Sequence, residues 1–244
     1  MPLLRGGRTL FGIDLGILML DTVFPRPPGD VGNATTWPFP VRYRVVAGAT
    51  SVRVVQRPDA ELLDRFFEGA RELEADGVRA ITTSCGFLAI YQRELAASVS
   101  VPVVTSALLQ VPLVARALGP DRAVGIVTMS REDLTEGHFE GVGWSSRDVR
   151  VAVAGFPSQT LFRRTYLHGG TEADAAHLER ELVELTSELV RERPDVGALV
   201  FECTNFVPYA QAVRRATGLP VYDLYTLVTQ TYLATHGHDF PPLA

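Results

Sequence analysis

Two stretches decide the fold: "VRAITTSCGFLAIYQ" at residues 78–92 and "VGALVFECTNFVPYA" at residues 196–210. Each begins as an apolar run suited to a buried strand, passes through a turn, and continues into a helix-like run. Each carries one of the chain's two cysteines, Cys85 and Cys203, at the junction. Laid over one another at a constant offset of 118 residues, 78–119 and 196–237 align without a gap and share eight identities. The matches fall where structure is punctuated. Pro102 and Val103 meet Pro220 and Val221 where a strand starts, Gly119 meets Gly237 where a helix stops, and cysteine meets cysteine. The chain therefore reads as a duplicated α/β lobe.

The flanking sequence fits that unit. Residues 10–20 are apolar and read as a first strand, and the Pro/Gly/Asn-rich residues 21–41 read as a long loop of the kind that binds or covers a ligand. Alternation in "RYRVVAGATSVRVVQ", residues 42–56, predicts further strand, and residues 59–76 predict a helix capped by Asp59 and stopped by Gly77. Strand 78–83, helix 87–99, strand 101–104 and helix 107–118 follow. The series then restarts with strands at 123–129 and 149–156, a long capped helix within 171–195, strand 198–201, the Cys203 turn and its helix, strand 219–222 and a last helix over 224–235. Alternating βα units of this length predict mostly parallel sheets flanked by helices, in two pseudo-symmetric lobes.

Composition narrows the chemistry. Among 244 residues, 46% are apolar and 21% charged, and all 23 basic residues are arginine. Without lysine no Schiff base can form, which removes the usual anchor of pyridoxal phosphate. A net charge of −5 with no basic run argues against nucleic acid or an anionic membrane and leaves a small molecule or another subunit as partner. There is no CxxC, HExxH or acidic calcium loop, so no metal is expected; His236 and His238 are a weak pair in the tail. No run of 18 uncharged apolar residues predicts a transmembrane helix. Asp14 interrupts the N-terminal run, which lacks a cleavage site, and the expected compartment is the cytoplasm, where thiols stay reduced.

In a parallel α/β sheet, ligands sit beyond the carboxyl ends of the strands, where helix N-termini point free N–H groups. Both cysteines fall there, so the helix dipole is expected to lower their pKa. Two thiols facing each other across a cleft can remove a proton from one face of a bound carbon and supply one to the other, without a cofactor. Thr83, Ser84 and Gly86 in one lobe and Thr204 and Asn205 in the other are candidate anion-holding groups. Arg26, Asn33, Arg42 and Arg44 could supply a carboxylate clamp. Glu202 reads as a solvated acid at a strand end, with tuning of the neighbouring thiol as the alternative.

With "TTSCGF" and "ECTNF" in duplicated lobes, the chain resembles the cofactor-independent aspartate/glutamate racemase superfamily, which includes hydantoin racemases, maleate isomerases and arylmalonate decarboxylases. The resemblance implies two flavodoxin-like lobes with the active site in the interlobe cleft. It places 1–106 plus 224–244 in the first lobe, with the final helix packed back on it, and 107–223 in the second. It further implies a dimer, a small carboxylate-bearing substrate, Cys85 and Cys203 as the acid/base pair, Thr204 and Asn205 on the substrate carboxylate, and contacts from Thr128 and Ser130. Glutamate racemases carry Asn-Thr after the first cysteine and Thr-His after the second. Here Gly86-Phe87 and Thr204-Asn205 stand instead, and Phe87 favours a larger, less polar or cyclic substrate. The leading expectation is an amino-acid racemase or epimerase. The alternatives are an isomerase of an unsaturated diacid or a carbon–carbon lyase on the same scaffold, and a binding protein without chemistry.

Overall fold

The computed structural model describes residue 3, residues 6–56 and residues 60–237. In the first round of the chain, β1 (Leu15–Leu20), β2 (Val41–Val46), β3 (Ala80–Thr83) and β4 (Val103–Val104) form an all-parallel sheet in the order β2-β1-β3-β4. Between the strands lie α1 (Ser51–Gln56), α2 (Ala60–Ala75) and α3 (Gln92–Ala97), followed by α4 (Val111–Ala117). The second round repeats the plan. Its strands β5 (Ala123–Thr128), β6 (Val151–Gly155), β7 (Val196–Phe201) and β8 (Val221–Tyr222) are ordered β6-β5-β7-β8, with α5 (Glu136–Gly141), α6 (Ala175–Glu192), α7 (Ala210–Thr217) and α8 (Leu224–His236). The 118-residue offset reappears in the 3₁₀ turns Gly86–Tyr91 and Thr204–Tyr209 and in β4 and β8.

Burial follows from the sequence pattern. In α2, Leu62, Phe66, Ala70 and Leu73 recur at helical spacing and are all buried, while the intervening charges face outward. A Cβ on Gly16, the second residue of β1, would lie 3.0 Å from Leu73 Cδ1, so the glycine lets α2 sit close on the sheet. In the second lobe α6 buries Leu178, Leu182, Thr186 and Leu189 in the same way. Each sheet is covered by helices on both faces, as parallel sheets require, and β1, β3, β5 and β7 are accordingly buried along their whole length.

The last helix of each round packs on the other round's sheet. α4 leaves the first sheet and lies against β5, whereas Leu224, Leu227 and Val228 of α8 form a second small core with Leu15, Ile17 and Ala80. Gln110 sits at this exchange: its Nε2 donates to the Asp223 carbonyl at 3.0 Å, and its Oε1 accepts from Thr226 Oγ1 at 3.1 Å. The lobes also meet at α5, where a Cβ on Gly141 would lie 2.3 Å from the Ala89 carbonyl oxygen.

The segment expected as continuous strand from 42 to 56 divides into β2 and a helix. Gly48, at φ 74°, turns the chain, and Val54 and Val55 are buried on one side of α1. Tertiary packing thus overrides the β preference of a valine-rich run. Asp59, the expected cap of α2, and His238 lie outside the described residues. His236 instead pairs with Asp14, Nδ1 to Oδ2, at 2.5 Å. Among the described residues no cluster of three histidines, cysteines or acids could hold a metal ion, and no helix is long and apolar enough to cross a membrane.

Because Gln110 is buried and both ends of its amide are used, Gln110→Leu is expected to destabilise the protein by ~1–3 kcal/mol. Urea unfolding should show a lower midpoint at unchanged slope. An unchanged midpoint would mean that the helix exchange does not depend on this amide.

Candidate active site

Beyond β3 and β7 the ladder is carried one residue further: Ser84 N donates to the Leu18 carbonyl and Glu202 N to the Val127 carbonyl, each at 2.9 Å. The next residue in each lobe is the cysteine, in extended conformation as the N-cap of its 3₁₀ turn. Both cysteines are free and line one small cavity between the lobes. Cys203 is buried, while Cys85 keeps partial exposure.

Of the residues expected at the site, Ser84, Cys85, Gly86, Phe87, Cys203, Thr204 and Asn205 line this cavity. Thr83, Thr128 and Ser130 do not. Thr83 donates its hydroxyl to the Thr105 carbonyl at 2.7 Å, Thr128 to Glu202 Oε2 at 2.7 Å, and Ser130 to Asp133 Oδ2 at 2.6 Å. Their hydroxyls support the walls. Thr204 Oγ1 donates to the Ser84 carbonyl at 2.8 Å and so ties one lobe to the other. Asn205 Nδ2 donates to Asp30 Oδ2 at 2.8 Å, and its Oδ1 lies 3.6 Å from Cys203 Sγ, facing the thiol as an acceptor.

The proposed arginine clamp is not formed. Arg42 and Arg44 pair with Asp76 and Glu72 on the outer side of the first sheet. Arg26 is bound to Asp30 at 2.7 Å and Thr22 at 2.8 Å with its guanidinium over the Phe24 ring, and Asn33 caps the 3₁₀ turn Ala34–Thr36. Among the described residues no arginine or histidine side chain lines the cavity. The long loop does reach the site, contributing Phe24 to its wall and Asp30 to the support of Asn205. A Cβ on Gly29 would lie 2.9 Å from Pro208 Cα, so this loop rests directly on the second lobe.

Glu202, expected as a solvated acid, is fully buried in the cavity wall. Its Oε2 accepts from Thr128 and a backbone N–H of Met129 also serves the carboxylate, but Oε1 has no hydrogen-bond partner among the described residues. Burial pushes its pKa up to about 8. A Cβ on Gly86 would lie 2.0 Å from the Glu202 carbonyl oxygen and 2.3 Å from Oε1, which is why only glycine fits after Cys85. In the aligned repeats Glu202 falls on Ser84, so the repeat gave no sign of an acid at this place.

The thiols also differ from expectation. Burial, and secondarily the Glu202 carboxylate, push Cys85 up to about 12, against the help of backbone N–H groups of Phe87 and Leu88. The same two causes raise Cys203 well above its ordinary value. The helix dipole does not lower them because each cysteine caps a 3₁₀ turn of six residues, whose dipole is small beside the desolvation. Both thiols are therefore neutral at neutral pH. Other walls come from Leu20, Ser51, Val55, Met129, Tyr166 and Leu167, none of which the sequence had singled out. Leu20, Ser51 and Val55 come from the first round of the chain and Met129, Tyr166 and Leu167 from the second, and they carry no shared motif.

No protein-family model matches the chain. A dimethylsulfoniopropionate lyase from Durusdinium sp. clade D is 31% identical over 216 residues, covering 86% of this chain and 70% of that protein. The chain belongs to the dimethylsulfoniopropionate lyase family. Emiliania huxleyi lyases 7 and 3 are each 32% identical over 87% of this chain, which spans 64% and 57% of their lengths. Among solved structures, a sulfate-associated mutant of arylmalonate decarboxylase has a TM-score of 0.61 at 16% identity, covering 92% of this chain and 94% of that one. A glutamate racemase from Bacillus anthracis has 0.56 at 15% identity, covering 92% and 83%. An aspartate racemase homologue from Pyrococcus horikoshii has 0.54 at 14%, covering 92% and 99%. This member of the lyase family thus has the fold of the aspartate/glutamate racemase superfamily.

Two outcomes follow from Gly86 and Glu202. Gly86→Ala would drive a methyl group into backbone, so a loss of ~3 kcal/mol or more in unfolding free energy is expected from denaturant titration. For Glu202, the folded pKa of about 8 lies above the ordinary 4.5. Between these values the folded chain holds a proton that the unfolded chain has released, so stability falls as pH rises through that window and levels off above it. Glu202→Gln should flatten the fall, and an unaltered slope in the variant would place its cause elsewhere.

Proposed function

We propose that this chain is a lyase that eliminates a sulfonium leaving group from a β-substituted propionate, with dimethylsulfoniopropionate as substrate. The observation that carries this reading is the charge of the cavity: two raised thiols and a buried acid, with no basic side chain on its walls among the described residues. A thiolate there needs positive charge, and a sulfonium brings it. Such a cation is also suited to the aromatic walls of Phe24, Phe87 and Tyr166. An acidic amino acid would instead add negative charge to a site that already disfavours it.

In the proposed reaction the substrate carboxylate meets the Ser51 and Ser84 side of the cavity and backbone N–H groups of the 3₁₀ turns. Cys85 is the base, because it is the more exposed thiol and carries the Phe87 and Leu88 N–H groups. Its thiolate takes a proton from the α-carbon. The C–H electron pair forms the carbon–carbon double bond, the β-carbon–sulfur bond breaks toward sulfur, and acrylate and neutral dimethyl sulfide result. Cys203 remains a thiol against Asn205 and closes the opposite face. The bond cleaved is carbon–sulfur rather than the carbon–carbon bond first expected for a lyase on this scaffold. A racemase reading keeps one supporting feature, the pair of thiols on a single cavity, and the same experiment separates it.

Dimethylsulfoniopropionate in D2O should yield dimethyl sulfide and acrylate, with activity falling by ~10²-fold or more in Cys85→Ser. The uncharged analogue methylthiopropionate should not react. α-Deuteration of amino acids without elimination from the sulfonium compound would overturn the lyase reading in favour of racemisation.

A further inference from the structure

Glu202 is left unexplained by a two-thiol reaction. A carboxyl group with no exposed surface and one oxygen without a partner is costly, and burying it is disfavoured unless something compensates. The chain nevertheless shapes both lobes around it. Thr128, at the end of β5, gives up its hydroxyl to Oε2, and Gly86 lacks the side chain that would occupy the space of Oε1. The unpartnered oxygen consequently lies against the residue that follows Cys85, on the wall of the same cavity.

We propose that Glu202 is the proton-accepting partner of Cys85: the buried carboxylate takes the thiol proton, and the thiolate so formed is the base that attacks the substrate α-carbon. The step balances as thiol plus carboxylate giving thiolate plus carboxylic acid, with no outside reactant. When the thiolate removes the α-proton, the pair holds two protons, and one leaves to solvent before the next turnover. The assignment of Cys85 as base rests on the lyase reading; the shared proton does not.

The groups facing the pair are few. From the second lobe they are the Cys203 thiol, the Thr128 hydroxyl and the Met129 N–H; from the first, the N–H groups of Phe87 and Leu88. Asp30 acts on Cys203 from the long loop, with its own charge met by Arg26. Among the described residues no other carboxyl group lines the cavity, and the Tyr166 phenol is its one further titratable group. Two negative charges on Cys85 and Glu202 repel one another in a desolvated wall, so the pair carries a single charge and titrates as a unit. Thiolate population should then stop rising once that single charge is in place, near the value of about 8 at which Glu202 ionises.

The test follows Cys85 alkylation by iodoacetamide against pH without substrate, alongside kcat/KM on dimethylsulfoniopropionate. In the wild-type protein both should rise with pH and level off near pH 8. In Glu202→Gln the alkylation rate and kcat/KM should match the wild type below pH 8, where Glu202 is protonated, and keep rising tenfold per pH unit above it. Glu202→Asp, which keeps an acid at the position, should restore the plateau in part. Alkylation profiles of wild type and Glu202→Gln that stay superimposable above pH 8 would overturn the pairing, as would a kcat/KM that still levels off near pH 8 in Glu202→Gln. A changed alkylation profile with no turnover of the sulfonium substrate would leave the pairing standing and remove the lyase reading instead.

Discussion

The site depends on one close approach, the Gly86 backbone against Glu202. The missing Cβ lets the carbonyl of one lobe's strand end come within 2.0 Å of where that atom would be. Beside it, Thr204 donates to the Ser84 carbonyl, so the segments that follow β3 and β7 are held by a buried contact between lobes. The two cysteines are the residues next to these contacts. Any spreading of the lobes would separate the thiols and expose Glu202 together, which makes cavity shape and cavity electrostatics a single property of the interface.

The duplication supplies the scaffold, and departures from it supply the chemistry. At the 118-residue offset Ser84 stands opposite Glu202, Gly86 opposite Thr204 and Phe87 opposite Asn205. On one side is an aromatic wall with backbone N–H groups at the sulfur; on the other, an amide held by Asp30 and an acid with a free oxygen. A racemase acting equally in both directions gains from matched halves. An elimination needs one base and one path for the leaving group, and unmatched halves suit it.

Much of the fold was legible because its signals are local and repeated. Apolar runs ending in small residues, prolines before β4 and β8, and the spacing of Leu62, Phe66 and Leu73 each report on one element, and the repeat orders them. The cysteine pair was legible for the same reason. Glu202 was not, because a single acid beside a cysteine has the same local sequence whether water or a neighbouring lobe covers it. Nor was the thiol pKa, since the dipole argument counts a favourable local effect while desolvation depends on everything packed around the sulfur. Arg42 and Arg44 failed as a clamp because residues adjacent in sequence to a loop face outward once β2 becomes the sheet edge beside α2.

The absence of a cation from the walls bears on both ends of the proposed reaction. A zwitterionic substrate enters a neutral cavity without leaving a net charge there, since its sulfonium and carboxylate cancel. Its positive end then stabilises the thiolate that a cavity lined with one buried acid and two thiols otherwise suppresses, so the base is strongest only when the substrate is bound. Cleavage turns the sulfonium into an uncharged sulfide. The remaining carboxylate product is an anion beside Glu202 and two thiols with no basic side chain on the walls, and the electrostatics that admitted the zwitterion now oppose retention of the product. In a buried site this small, such a reversal gives release a driving force that does not require a separate device in the fold.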